Sequence, residues 1–287
     1  MTIVRSRQEM MDLGMQFAHY YEQIRLFTLE GSLTNVNIPP DEFQDYDFSY
    51  FVTDMEYFKR SDDWLDMFGT RIILQKPEDM ELFPADLGNW FSYLMIFEDG
   101  TKIDLTLIPL EEVEDYFEQS DGLVEVLLDK DNRLKQTVVA SDRQYHIRKP
   151  SVRSFDDCCN EFWMSATYVA KGLARGEILF AIDMMNQVFR PTLLTMLRWK
   201  VGMDTGYTLS IGKSDKFLQS YVSSDTWERL LSTYNMGSIP SMWAALEMCV
   251  VLFRETAHQI AEQYQFLYPT YDANISPYID QIHRKSK

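Results

Sequence analysis

Gln44-Asp45-Tyr46-Asp47-Phe48-Ser49-Tyr50-Phe51-Val52 is the stretch on which the reading of this chain turns. After Asp47 it is apolar and aromatic but for Ser49, a composition suited to a pleated, half-buried surface. In an extended strand the side chains at i and i+2 leave the same face, so Asp45 and Asp47 can aim both carboxylates at one place. Two such groups repel each other unless a cation lies between them. Upstream, Ile24-Arg25-Leu26-Phe27-Thr28-Leu29-Glu30 reads as another strand and closes on Gly31-Ser32. Glycine lets the backbone approach a phosphate closely, and serine offers a hydroxyl and an N–H. Together these features imply a site for magnesium and a nucleotide triphosphate.

A two-metal arrangement needs a third carboxylate, and Asp104 is the best placed. It lies in Lys102-Ile103-Asp104-Leu105-Thr106-Leu107, where Ile103, Leu105 and Leu107 share the face expected to be core. Lys102, Asp104 and Thr106 share the other. Aspartate is a poor strand former, so an acid in the middle of such a segment calls for a reason. Two magnesium ions about 3.5–4 Å apart would clamp an in-line attack on phosphorus. Asp45 and Asp47 would bind metal, Ser32 would contact phosphate, and Asp104 would be either the third ligand or the general base.

Working outward, the chain falls into two parts. Gln8–Tyr20 has the spacing of an amphipathic helix. Strands are expected over Ile24–Glu30, Tyr46–Val52 and Arg71–Leu74. Phe91–Phe97 and Lys102–Ile108 form a hairpin through Glu98-Asp99-Gly100-Thr101. Tyr57–Met67 and Leu110–Phe117 read as helices, and Leu123–Leu128 as a short strand. After Pro150 strand signals nearly vanish. A helix opens at Ser151 and runs to about Gly172–Gly176. Glu177–Met203 continues the pattern with a kink or break at Pro191. Asp225–Ser232 and Met242–Gln265 follow, and no element is assigned beyond Gln265. The expected fold is α+β: an N-terminal domain over 1–150 with a mixed sheet and flanking helices, then an all-helical bundle over 151–287.

Composition narrows the classes. The 287 residues include 18 Phe, 16 Tyr and 6 Trp, enough for a sizeable core. The net charge of -17 is local, with 14 Lys and Arg against 30 Asp and Glu in residues 1–150 and 13 against 14 in the rest. Such a field repels nucleic acid and anionic membrane and attracts cations. It suits a polycationic substrate held against the N-terminal half. No apolar run is long enough to span a bilayer, and the segment Met1–Glu9 lacks a secretory core. Three cysteines, Cys158, Cys159 and Cys249, do not make a disulfide framework, so buried, reduced thiols in the cytoplasm are expected. Four scattered histidines and the lack of a Walker A sequence exclude histidine-based and P-loop chemistry. The sequence sets no oligomeric state.

Gly31-Ser32 followed by Asp45-Tyr46-Asp47, with Asp104 in a later strand, resembles the nucleotidyltransferase signature of the DNA polymerase beta superfamily. The longer strings resemble one branch of it. Asn37-Ile38-Pro39-Pro40-Asp41-Glu42-Phe43-Gln44-Asp45-Tyr46-Asp47, Gln75-Lys76-Pro77-Glu78-Asp79-Met80-Glu81-Leu82-Phe83-Pro84 and Gly88-Asn89-Trp90-Phe91-Ser92-Tyr93 are similar to the bacterial aminoglycoside 6-adenylyltransferases, the streptomycin-modifying enzymes. So are Phe155-Asp156-Asp157-Cys158-Cys159-Asn160-Glu161-Phe162-Trp163 and Tyr168-Val169-Ala170-Lys171-Gly172-Leu173-Ala174-Arg175. The resemblance runs nearly end to end. It implies a polymerase-beta-like catalytic domain, transfer of AMP from ATP to a hydroxyl of streptomycin, release of pyrophosphate, and antibiotic resistance. Asp45, Asp47 and Asp104 would bind Mg2+. Gly31, Ser32, Asn35 and Lys171 would bind the nucleotide, with Arg175 four residues along the same helix face. Glu81 and Glu161 would pair with guanidinium groups of the aminoglycoside, and Trp90 would stack on a sugar or belong to the core.

One position departs from the family pattern, Gly-Ser-Arg-Thr-Asn. Here Leu33 stands in Gly31-Ser32-Leu33-Thr34-Asn35, and leucine supplies neither charge nor donors to a phosphate. Two other readings stay open beside streptomycin adenylylation: a relative that binds a nucleotide or cationic ligand without turnover, and an adenylyltransferase with a different acceptor.

Overall fold

The computed structural model describes residues 4–286. Met1, Thr2 and Ile3, at the head of the segment read as lacking a leader, lie outside the described residues. The chain forms two compact units divided between Gln144 and Tyr145.

The first unit is built on a six-stranded mixed sheet. Its strands are β1 (Ile24–Glu30), β2 (Tyr46–Val52), β3 (Arg71–Gln75), β4 (Phe91–Phe97), β5 (Lys102–Pro109) and β6 (Val124–Asp129), in the order β3-β4-β5-β2-β1-β6. Every neighbouring pair is antiparallel except β2 and β5, which run parallel. Alternation decides the faces. Phe27 and Leu29 of β1, Phe48 and Tyr50 of β2, and Ile103, Leu105 and Leu107 of β5 are buried in one core. Helix α1 (Arg7–Tyr20) covers that core with Met10, Phe17 and Ala18. Ser6 starts α1, its hydroxyl accepting from Glu9 N–H while the Glu9 carboxylate accepts from Ser6 N–H. On the opposite face Leu26, Phe51 and Ile108 pack against Val113 and Tyr116 of helix α3 (Val113–Gln119).

The expected hairpin turns at Gly100, φ +85°, with Asp99 accepting from Thr101 N–H. The helix expected over Tyr57–Met67 is instead α2 (Met55–Lys59) and a separate 3-10 segment over Asp63–Phe68. Ser61 takes the Asp63 N–H at 3.1 Å, and Trp64 Nε1 donates to Phe58 O at 2.8 Å. These local bonds replace the helical ones and close a corner.

The second unit is helical, with α4 (Val152–Ala174), α5 (Ile178–Met184), α6 (Arg190–Thr205), α7 (Ser224–Ser232), α8 (Ile239–Tyr264) and α9 (Tyr271–Lys285). Ser151 and Ser154 cap α4 reciprocally, and Phe162 stacks on Phe189 and Phe253 at its centre. Pro191 does not break the chain. A π turn over Met185–Phe189 precedes it, and α6 starts at Arg190. The wider turn accommodates a residue with no N–H to donate. Helix α9 is an element that periodicity did not reveal. It contains Pro277 and packs chiefly against α4, while α8 adds two side-chain ties: Arg254 grips Asp272 through two bonds of 2.6 and 2.7 Å, and Trp243 stacks on His283. The three cysteines are free and buried. Among the described residues no helix is long and apolar enough to cross a membrane.

Candidate active site

Sheet register assembles the acids. Glu30 of β1 pairs with Asp47 of β2, and Asp47 pairs with Asp104 of β5. Paired residues on neighbouring strands present their side chains to the same face, so three carboxylates form a row across the sheet. The row behind it is Thr28, Ser49, Thr106 and Ser92, all hydroxyls, with Ser92 and Thr106 hydrogen-bonded at 3.3 Å. The row behind that contains Leu26, Phe51 and Ile108 under α3. This face therefore grades from apolar core through hydroxyls to carboxylates. The acids sit where the cover ends, half-buried.

The turn after β1 closes against the row. Gly31 has φ +71°, a conformation glycine adopts without cost, and its N–H donates to Leu123 O at 2.9 Å. A Cβ built on Gly31 would lie 2.4 Å from Asp47 Oδ2. The backbone thus touches the carboxylate, and only glycine permits it. Gly31–Thr34 is one turn of 3-10 helix, held by Thr34 Oγ1 on Gly31 O at 2.9 Å. Ser32 Oγ accepts from Gln44 Nε2 at 3.3 Å, which ties the turn to the residue before Asp45. Asn35 is buried and its Oδ1 accepts from Asn37 N–H at 3.0 Å, a bond that holds the loop. Leu33 packs against the aromatic core, and Arg7 of α1 donates to its carbonyl at 2.9 Å. A guanidinium therefore does reach this turn, from the N-terminal helix.

The electrostatics follow from crowding like charges in partial burial. Burial, then repulsion from Asp104, Glu30 and Asp45, pushes the Asp47 carboxyl up to about 7, against the opposing pull of Lys102. Burial also raises Glu30, although Ser49, Tyr116 and Thr28 donate to it. Asp45 joins the row through Lys102, whose Nζ lies 2.6 Å from Asp45 Oδ2 and 2.9 Å from Asp104 Oδ2. The other oxygen of Asp104, Oδ1, is buried without a hydrogen-bond partner.

Among the described residues no set of three His, Cys, Asp or Glu is already arranged around an ion position. The donor chemistry nevertheless fits a divalent cation. The oxygens are hard carboxylates, one of them is buried with nothing to bond, and an ammonium already stands between two of the side chains.

Asp45, Asp47, Asp104, Gly31 and Ser32 are thus brought together. Trp90 is half-buried, its Nε1 donating to Glu112 at 2.7 Å and its ring against Tyr116 at 5.8 Å. Glu81 is exposed. Glu161 is exposed on α4, and Lys171 on the same helix lies with Nζ 5.6 Å from the Tyr278 ring centroid. Arg175 stands 3.9 Å from Glu177. Glu30 and Lys102 belong to the site but were not singled out from sequence. Their signals were present: Glu30 ends β1 immediately before Gly31, and Lys102 precedes Asp104 by two.

The family model for streptomycin adenylyltransferase matches residues 4–282. An aminoglycoside 6-adenylyltransferase of Bacillus subtilis is 57% identical over 280 residues, covering 98% of this chain and 99% of that protein. One from Campylobacter jejuni is 54% identical over 284 residues (99% and 97% covered), and one from Staphylococcus aureus 44% over 276 (96% and 98%). A crystal structure of an aminoglycoside 6-adenyltransferase from Bacillus subtilis matches with 52% identity, a TM-score of 0.49, and coverage of 98% of this chain and 99% of that one.

Proposed function

Because the chain belongs to the streptomycin adenylyltransferase family, and so to the nucleotide-transferring enzymes, we propose that it moves AMP from ATP to the 6-hydroxyl of streptomycin in the cytoplasm, inactivating the antibiotic. The observation that supports this site is the row of Asp47 and Asp104 against a glycine whose Cβ would collide with Asp47.

In the transfer the acceptor O–H bond breaks and a new bond forms from that oxygen to the α-phosphorus. The bond from the α-phosphorus to the bridging oxygen breaks, and pyrophosphate leaves with that electron pair. Asp45, Asp47 and Asp104 would hold Mg2+, which when bound neutralises charge on the triphosphate and sharpens the nucleophile. The side chains do the rest. Asp104, beside Asp47 on the neighbouring strand, takes the hydroxyl proton as general base. The half-buried Gly31–Thr34 turn offers the Ser32 hydroxyl to phosphate, with the Arg7 guanidinium beside it. The net -16 of residues 1–150 draws in a substrate bearing two guanidinium groups, for which Glu81 and Glu161 are the proposed partners and Trp90 a stacking surface. Lys171 is proposed for the triphosphate.

The test is pyrophosphate release with ATP, Mg2+ and a panel of aminoglycosides. Release with streptomycin is expected. Release only with another aminoglycoside would change the acceptor, and nucleotide binding without any release would make this a binding protein.

A further inference from the structure

Lys102 has no part in the transfer described above, yet it is the most closely engaged side chain of the site. It opens β5 two residues before Asp104, so both side chains leave the same face of the strand. A single ammonium then reaches two carboxylates on different segments, Asp45 ahead of β2 at 2.6 Å and Asp104 on β5 at 2.9 Å. The strongest charge effects on Asp47 come from Asp104, Glu30 and Asp45, all of its own sign, and from Lys102, of opposite sign. Four carboxylates crowded at a half-covered sheet end would spread apart without a cation. Lys102 supplies one.

The position is also the one a divalent ion shared by Asp45 and Asp104 would need. An ammonium at hydrogen-bond distance from both Oδ2 atoms and a metal bound to those atoms exclude each other. Lys102 is about one-third exposed, and its four-carbon stem is flexible, so the ammonium has a way out toward solvent. We propose that Lys102 is a resident counter-cation that keeps Asp45 and Asp104 converged in the resting enzyme, and that the divalent ion enters by displacing it. Lys102 is then a positioning residue, and it sets how tightly the resting site takes metal. An ion must compete with the ammonium when it comes alone. An ion brought in on the triphosphate carries extra binding energy to complete the exchange. This inference rests on the metal-assisted reading given above.

The experiment is Mn2+ titration of the nucleotide-free protein, followed by the electron paramagnetic resonance signal of free Mn2+, in wild type and Lys102→Met. The variant should bind Mn2+ about tenfold or more tightly, since two partly buried pairs no longer compete. Equal or weaker binding by a folded variant overturns the proposal. A second measurement needs no variant. Acetylation of Lys102, read by mass spectrometry, should rise several-fold when wild-type protein is saturated with Mn2+, while Lys130, which donates to Tyr21 O, stays constant. Unchanged Lys102 labelling with Mn2+ bound also overturns it. Repeating the titration with a non-hydrolysable ATP analogue separates the two ideas. If both proteins take up Mn2+ with the analogue beyond what the analogue alone binds, yet bind it equally without the analogue, only the role of Lys102 is lost. If neither protein binds Mn2+ even with the analogue, the metal-assisted reading falls and this proposal with it.

Discussion

Replacing Gly31 by alanine should cripple transfer while leaving the protein folded. Two costs arise at this position. The backbone has φ +71°, where a side chain costs about 1–2 kcal/mol. The new Cβ would also lie 2.4 Å from Asp47 Oδ2 and 3.3 Å from its Cγ. A Cβ essentially never has a neighbour under 3.0 Å, so the carboxylate must retreat by at least about 0.6 Å. The retreat is a rotation of the Asp47 side chain, and it takes the carboxylate out of the row shared with Glu30 and Asp104. A misplacement approaching 1 Å in a reacting site costs about a hundredfold. Pyrophosphate release should therefore fall by about 10- to 100-fold in kcat/KM. Gly88→Ala is the control. Gly88 has φ +66° and nothing within 4 Å of a built Cβ, so that variant carries the backbone cost alone. Both variants should melt a few degrees lower than wild type, but Gly88→Ala should keep activity within about threefold, because only the backbone term is present. A folded Gly31→Ala with near wild-type activity refutes the reasoning. So does an equal loss in Gly88→Ala, which would trace the effect to strain and not to the carboxylate.

The pH dependence of stability should report the acid row. With Asp47 pushed up to about 7, the folded protein holds a proton there that the unfolded chain releases near pH 4, so the metal-free protein loses stability as pH rises from about 4 through 7. Asp47→Asn should abolish transfer yet be the more stable protein in chelator at pH 8, by about 1 kcal/mol once solvent screening is allowed for, with the gap closing toward pH 5. Urea melts at the two pH values decide it, and equal slopes for the two proteins would contradict it. The pair of Arg5 and Asp99 behaves oppositely. Burial by itself would raise Asp99, but bonds from Arg5 at 2.6 Å and from Thr101 outweigh it and hold the carboxyl down to about 2. Asp99→Asn should cost about 1 kcal/mol at neutral pH. That difference should shrink as pH falls from about 4 toward 2, and a difference that persists at pH 2 would show that the charge is not its source.

Much of the first unit was legible because its signals are local. Alternation in Ile103, Asp104, Leu105, Thr106 and Leu107 needs no partner to be read, since a strand sends successive side chains to opposite faces whatever lies beside it. The same holds for the Asp99-Gly100 turn and for the Gly31-Ser32 pair. Where local bonds compete, the reading failed: Ser61 and Trp64 divide the segment expected to be one helix, and Pro277 conceals α9, whose position depends on packing against α4 and on Arg254 and Trp243.

Asp45 and Asp47 declared themselves by spacing, and Asp104 by being an acid among apolar neighbours. That Asp47 should lie beside Asp104, and Glu30 beside Asp47, is a matter of which strands pair and in what register, and register is fixed by burying the aromatic face of the whole sheet. The same pairing delivers Lys102 to Asp45 across β2 and β5. Periodicity along one chain can show what each strand carries; only packing between strands decides which charges meet.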